Sequence, residues 1–158
     1  MDSRNGGHGK PWPPFPSGTE ILRRDQEELL MSHGGLTPEQ AERVVAIAMD
    51  LAREGETAQL AEFVDHGLPV DVTDQGGNTL LMLAAYHGHA GTVRALLDRG
   101  ANPDLRNERD QAPIAGALFK GADEVVAVLR EAGADLDAGT PSARAAAIMF
   151  GREHLLAD

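Results

Sequence analysis

The chain contains no cysteine and few aromatic residues. Without cysteine there are no disulfides, no thiolate metal sites and no cysteine nucleophile. Aromatic residues make up only 4% of the 158 residues, so the core must be built from Ala, Leu, Val and Ile. No apolar run approaches the roughly 20 residues that a membrane helix requires, and we expect no membrane partner. Residues 1–18 lack the apolar core of a signal peptide, so the expected compartment is the cytoplasm.

Basic residues are also scarce. Lys and Arg number 14 against 25 Asp and Glu, which gives a net charge of −11. This charge argues against a nucleic-acid partner, because binding phosphate requires a basic face. Residues 37–74 are the most acidic part, with two Arg against nine Asp and Glu. An acidic end is suited to steering a basic partner, although solubility alone is the simpler explanation. The preference for Arg over Lys, together with abundant Ala, is typical of G+C-rich bacterial genomes.

Two segments precede the main domain. Residues 1–18 are rich in Gly and Pro, which forbids a helix and predicts a disordered or polyproline-like tail. Trp12 and Phe15 lie in this tail, where they either pack on the domain or form a short partner-binding motif. Residues 19–36 carry a partial helical stripe of Ile and Leu that ends at two glycines. We predict a capping helix that docks on the edge of the following domain.

An internal repeat dominates the remaining sequence. Two glycine series and two apolar series share one phase and a 33-residue period: Gly55, Gly88 and Gly121; Gly67, Gly100 and Gly133; Leu60, Val93 and Val126; and Phe63, Leu96 and Leu129. Each period combines a short Ala-rich helix, a glycine turn, a second amphipathic helix and an extended loop. The first helix begins at Thr37-Pro38-Glu39-Gln40, a typical N-cap and capping box, and should run to about Arg53. The pattern predicts an all-α helical solenoid.

The repeat resembles the ankyrin repeat. The unit from Asp74 to Arg106 matches best, with Thr79, Ala84-Ala85, Gly88-His89 and Gly100-Ala101 at the family's positions. The resemblance implies about four helix-pair units with projecting hairpin loops, at residues 37–73, 74–106, 107–139 and 140–158. The terminal units are degenerate, and Gly151 comes three positions too early after Gly121 for the period, which suggests a deletion in the last hairpin. The last unit should end inside its second helix.

No cofactor and no catalytic residue is expected, since phosphate loops, nucleophile elbows and dinucleotide fingerprints are absent. His87 and His89 form the tightest histidine cluster and leave a metal-dependent activity open as a remote alternative. His89, however, occupies the family's Gly-His position, where the resemblance implies local loop hydrogen bonds. We therefore expect no metal.

The resemblance implies a non-enzymatic protein-binding role through the hairpin tips and the concave face of the first helices. The expected partner-binding residues are the positions that vary in the family: Gln75, Asn78, Met82, Tyr86, His87, Arg106, Glu108, Arg109, Gln111, Phe119 and Lys120. Tyr86 and Phe119 occupy the same repeat position, where they either anchor a partner or merely cover gaps between units. We expect a monomer that acts as an adaptor or regulator. The alternative is an inhibitor of the immunity type, which masks a toxin or enzyme.

Overall fold

A computed structural model describes residues 37–157. The tail predicted for residues 1–18 and the helix predicted for 19–36 lie outside the described residues. The described part holds seven α-helices and one short 3₁₀ helix. In chain order they are α1 (Pro38–Glu54), α2 (Thr57–Asp65), α3 (Leu80–Tyr86), α4 (Ala90–Asp98), α5 (Pro113–Lys120), α6 (Asp123–Glu131), α7 (Ala143–Phe150) and the 3₁₀ helix Glu153–Leu156. None of these helices is long and apolar enough to cross a membrane.

The helices are arranged in two stacked rows. The inner row is α1, α3, α5 and α7, and each of these helices packs on the next. The outer row is α2, α4 and α6, followed by the 3₁₀ helix. Within a pair, the inner helix packs on the outer helix that follows it in the chain. The predicted all-α solenoid is therefore confirmed.

Side-chain caps define where three of the inner helices begin, namely α1, α3 and α7, whereas Ala112 before α5 provides no such cap. At α1 the Gln40 main-chain N–H donates to Thr37 Oγ1 at 3.1 Å, and the Thr37 N–H donates to Gln40 Oε1 at 2.9 Å. This is the reciprocal capping box that the sequence predicts, and it satisfies two main-chain donors that the helix leaves unpaired. At α3 a single cap bond forms, in which the Met82 main-chain N–H donates to Thr79 Oγ1 at 3.0 Å. Ser142 caps α7 through the Ala145 N–H, at 3.1 Å.

Glycine ends the inner helices. Gly55, Gly88 and Gly121 have φ of 75°, 80° and 74°, in the left-handed region that residues with a Cβ rarely adopt. Each of them turns the chain within two or three residues into the next outer helix. The 33-residue glycine series thus marks the turn between the inner and the outer helix of each pair.

The core repeats with the same period. Leu60, Val93 and Val126 are at most 1% exposed, and the second apolar series, of Phe63, Leu96 and Leu129, is equally buried. Small residues fill the inner row, where Ala84, Ala117 and Ala147 are at most 1% exposed and let adjacent helices approach closely. Burying side chains of this size contributes about 1.5–3 kcal/mol each for the Leu, Val and Phe positions.

The last unit differs from the one expected. The loop before α5 spans residues 99–112, whereas the loop before α7 spans residues 132–142 and is three residues shorter. In place of the predicted second helix, the structure has only the 3₁₀ helix Glu153–Leu156. Arg130 holds this segment on α6 by donating to the carbonyl oxygens of Leu155 at 3.2 Å and Ala157 at 3.0 Å. A four-residue 3₁₀ turn covers less of α7 than a full outer helix would.

Candidate functional site

Two equivalent side chains shape the projecting hairpins. Asp74 Oδ1 accepts from the main-chain N–H groups of Gly76 at 2.9 Å and Asn78 at 3.0 Å. Asn107, at the equivalent position of the next unit, repeats this pattern, and its Oδ1 accepts from the N–H groups of Arg109 at 2.9 Å and Gln111 at 3.0 Å. A short polar side chain at this position therefore closes the turn by bonding to its own loop.

Hydrogen bonds also join one hairpin to the next. Asn107 Nδ2 donates to Asn78 Oδ1 at 2.8 Å, and the Glu108 main-chain N–H donates to the Gly76 carbonyl oxygen at 2.9 Å. Further along, the Thr140 N–H donates to the Asp110 carbonyl oxygen at 2.7 Å. The hairpins consequently form one connected row rather than independent loops.

The hairpin residues expected to bind a partner divide into two groups. Asn78 and Gln111 take part in the network, since Asn107 Nδ2 also donates to Gln111 Oε1 at 2.8 Å. The exposed residues at the tips are Gln75, Arg106, Glu108 and Arg109. Arg106 forms an exposed ion pair with Asp110 at 3.2 Å, of the kind that contributes about 0–1 kcal/mol to stability. The tips thus present both signs of charge on a fixed backbone.

Three aromatic rings lie in line at the carboxyl ends of the inner helices. Tyr86 of α3 stacks on Phe119 of α5, with ring centroids 6.2 Å apart and planes at 10°. Phe119 meets Phe150 of α7 edge to face, at 5.4 Å and 70°. Phe119 nevertheless remains 57% exposed and Phe150 38% exposed. We call Tyr86, Phe119 and Phe150 the aromatic row.

A cationic edge borders the aromatic row. The Lys120 ammonium lies 4.8 Å from the centre of the Tyr86 ring, which is cation–π geometry. The pKa of His87 is lowered from its ordinary value of 6.5, first by partial burial and then by the positive charges of His89, Lys120 and Arg53. The His87 ring stands edge-on to Tyr86, with centroids 5.4 Å apart. This edge carries positive charge although the chain as a whole has a net charge of −11.

The structure corrects the expectation for Met82. Its side chain is 5% exposed and so does not project from the concave face. The reason is that Met82 lies between α3 and α5. A Cβ on Gly116 of α5 would be 3.9 Å from Met82 Sδ and 3.5 Å from Tyr86 Cδ1, both ordinary van der Waals distances. The Met82 side chain is therefore part of the contact between the two inner helices.

The structure also corrects the expectation for His89. Its Nε2 donates to the carbonyl oxygen of Arg53 at 2.8 Å, so the bond runs to the preceding helix pair rather than within the local loop. Because a carbonyl oxygen only accepts, this contact places the proton on Nε2, and that nitrogen is not free to bind a metal ion. Within residues 37–157, no three His, Asp or Glu side chains converge in a way that could hold a metal ion.

The expected set misses three exposed apolar residues of α7. Ile148 and Met149 are each 64% exposed, and Phe150 extends the aromatic row. A sequence signal was available, since an Ile-Met-Phe run directly before Gly151 ends an inner helix. The 33-residue period does not predict this position because the last unit is shorter than the others. Phe150 lies two positions short of one full 33-residue period after Phe119.

Comparison with known proteins identifies the repeat. The family model for ankyrin repeats (3 copies) matches residues 48–140, more than half of the chain. The chain belongs to the ankyrin repeat family. Ankyrin repeats are generally protein–protein interaction modules, and the family is a non-enzymatic interaction fold.

Two similar proteins match parts of the chain. Oxysterol-binding protein-related protein 1 of Mus musculus is 40% identical over 86 residues, which cover 53% of this chain and 9% of that protein. Putative ankyrin repeat protein PA3287 of Pseudomonas aeruginosa is 51% identical over 45 residues, which cover 28% of this chain and 26% of that protein. The matched regions therefore span no more than about a quarter of either relative.

Proposed function

We propose that this protein is a non-enzymatic binding module of a bacterial cytoplasm, which acts as a monomeric adaptor or regulator. It would hold one protein partner through the hairpin tips and the concave face of the inner helices. The exposed aromatic row carries the proposal. In a chain with only 4% aromatic residues, three rings come together and Phe119 remains 57% exposed. Exposed aromatic anchors that cluster in this way are typical of interface hot spots.

The surroundings of the aromatic row support the same proposal. Lys120 and His87 border one side of the row. The tip residues Glu108 and Arg109 lie on the hairpin that leads into α5, the helix that carries Phe119. Since hydrogen bonds link each hairpin to the next, the tips lose little conformational freedom when a partner binds. An apolar centre with a charged rim is the arrangement that protein interfaces generally show.

A capture experiment tests this proposal. The purified chain is immobilised, proteins of the source organism are passed over it, and retained partners are identified by mass spectrometry. The triple variant Tyr86→Ala, Arg109→Ala and Phe119→Ala should lose the partner retained by the unmodified chain. The far-ultraviolet circular dichroism spectrum should stay the same, because none of the three side chains is fully buried.

A matched variant controls for general effects of three surface substitutions. Glu62→Ala, Arg94→Ala and Ala127→Ser alter exposed positions of the outer helices, and this variant should retain the partner. Equal capture by both triple variants would contradict the proposed surface. Unfolding of the first triple variant alone would show that its residues are structural, which also contradicts the assignment.

A further inference from the structure

The aromatic row continues into an apolar patch that no described residue covers. Phe119, Ile148, Met149 and Phe150 are the large apolar side chains that remain most exposed within residues 37–157, at 57%, 64%, 64% and 38%. Phe119 and Phe150 meet edge to face, with ring centroids 5.4 Å apart, and Ile148 and Met149 directly precede Phe150 in α7. Exposed apolar patches are typical of binding sites on soluble proteins.

We propose that the proline-aromatic segment Pro11–Pro16 of the same chain docks on the aromatic row and shields this patch. Its sequence is Pro-Trp-Pro-Pro-Phe-Pro. Proline-rich segments are already extended and bind grooves lined with aromatic rings at low entropic cost. The ring spacings of 6.2 Å and 5.4 Å are close to the rise of two polyproline residues, about 6 Å. The surface and the segment are thus chemically matched.

The connection is long enough for docking within one molecule. Stacked inner helices lie about 8–10 Å apart, so α1 and α7 are separated by roughly 30 Å across the row. α1 rises about 25 Å from its start to its glycine turn, which puts Thr37 about 40 Å from the carboxyl end of α7. The connection from Phe15 to Thr37 comprises positions 16–36. An extended connection of that length spans about 70 Å, and one with residues 19–32 in the predicted helix still spans about 47 Å.

Tethering favours this occupant over a second copy of the chain. A segment on a connection of this length has an effective concentration on the order of 1 mM at the patch. A second copy at micromolar concentration competes poorly with it. Even if the segment binds the patch weakly, with an intrinsic dissociation constant of about 0.2 mM, the segment is docked in roughly five chains in six. The docking does not depend on the proposed function. Only its consequence, that a partner must displace the segment, depends on it.

Trp12 provides a direct test, since it is the single tryptophan of the chain. Acrylamide quenching of its fluorescence is measured in the full chain and in a synthetic peptide of residues 1–18. If docking occurs, the quenching constant should be about sixfold lower in the full chain, because only about one chain in six leaves Trp12 accessible. It should not change between about 1 and about 100 µM protein, because the contact is intramolecular.

Variants of the aromatic row and of the proline-aromatic segment show whether the protection of Trp12 comes from this contact. Phe119→Ser alters the most exposed ring of the aromatic row, and Pro13→Gly with Pro14→Gly alters the segment. Each of the two changes should restore quenching to the peptide's value. The matched control Ala127→Ser, at an exposed position of α6, should leave Trp12 protected. Three results would overturn the proposal: quenching in the full chain as fast as in the peptide, protection that grows with protein concentration, or protection that survives both altered forms.

Discussion

The His89 imidazole bonds across a helix-pair boundary to the main-chain carbonyl oxygen of Arg53, with Nε2 and oxygen 2.8 Å apart. The ring lies against Gly55, where a Cβ would come within 2.6 Å of His89 Nδ1. The glycine thus permits both the turn of its own chain and the approach of the histidine. At the last boundary Arg152 lies against Gly121 in the same way, and its Nη1 donates to Asp123 at 2.9 Å.

The middle boundary lacks this bond and predicts a stabilising substitution. Ala122 occupies the repeat position of His89, and its methyl lies 3.9 Å from the place of a Cβ on Gly88. Ala122→His should let an imidazole donate to the Tyr86 carbonyl oxygen, which corresponds by the 33-residue period to that of Arg53. We expect a gain of about 0.5–1.5 kcal/mol in the free energy of unfolding, the usual net value of one hydrogen bond. Urea unfolding followed by circular dichroism measures it.

Two further variants check the cause of that gain. Ala127→His adds the same side chain at an exposed position of α6 and should not raise the unfolding free energy, because His is a weaker helix former than Ala. His89→Ala should lower it by about 1–2 kcal/mol, because the Arg53 carbonyl oxygen loses its partner. If Ala122→His and Ala127→His gave equal gains, the bond to Tyr86 would not be the source.

Much of the fold follows from local sequence signals. The Thr37 capping box and the turn glycines act within a few residues of themselves, so their effect can be predicted without knowing the tertiary structure. The apolar series is predictable for another reason. A side chain that recurs in phase is buried against its own equivalent in the next unit, as Val93 is between neighbouring pairs.

The candidate site was less predictable because it depends on contacts between units. Met82 holds a position that varies in the family, yet its side chain is buried where α3 packs against α5, beside Gly116. The exposure of Ile148 depends on what covers the last inner helix, which no pattern within α7 reveals. Phe150 joins the aromatic row although its spacing from Phe119 departs from the 33-residue period. The 33-residue period therefore predicts where the surface lies, but it does not predict all of the residues that form it.

Aspartates in phase form a second series of bonds between units. Asp71 Oδ1 accepts from the main-chain N–H of Asn102 at 3.0 Å, and Asp104 Oδ1 accepts from that of Asp135 at 2.7 Å. Asp104→Ala should lower the unfolding free energy by about 1–2 kcal/mol, since the Asp135 N–H loses a charged acceptor. Asp104→Asn keeps an oxygen acceptor and should cost less. Thermal unfolding of both variants at one pH provides the comparison, and equal losses would show that the hydrogen bond is not what stabilises the junction.

The lowered pKa of His87 predicts a pH dependence. The folded protein holds this proton less tightly than the unfolded chain, so stability rises with pH through the interval between the two pKa values. The His87 contribution is complete above the ordinary value of 6.5 and is lost as pH falls from there toward the folded-state pKa. Titration of the His87 ring signals by nuclear magnetic resonance should give a midpoint below 6.5.

Lys120 tests the electrostatic part of this shift. Lys120→Gln should raise the His87 midpoint only in part, because burial is the larger cause and the charges of His89 and Arg53 remain. Arg94→Gln removes a positive charge from an outer helix and should leave the midpoint in place. A midpoint that reached the ordinary value in Lys120→Gln would mean that burial contributes nothing.

Asp110 combines a strained backbone with a bond to the next hairpin, and its variants should separate the two effects. Its φ is 60°, and its Oδ2 accepts from Thr140 Oγ1 at 2.6 Å. Asp110→Ala should destabilise the protein by about 1.5–3 kcal/mol, because it loses the acceptor and leaves a methyl side chain in the left-handed region. Asp110→Asn keeps an acceptor and tolerates this conformation, so its unfolding free energy should stay close to that of the unmodified chain. Asp110→Gly should lie between the two, since it relieves the strain but loses the bond. Urea denaturation of the three variants gives the order, and Ala as stable as Gly would show that backbone strain is not part of the cost.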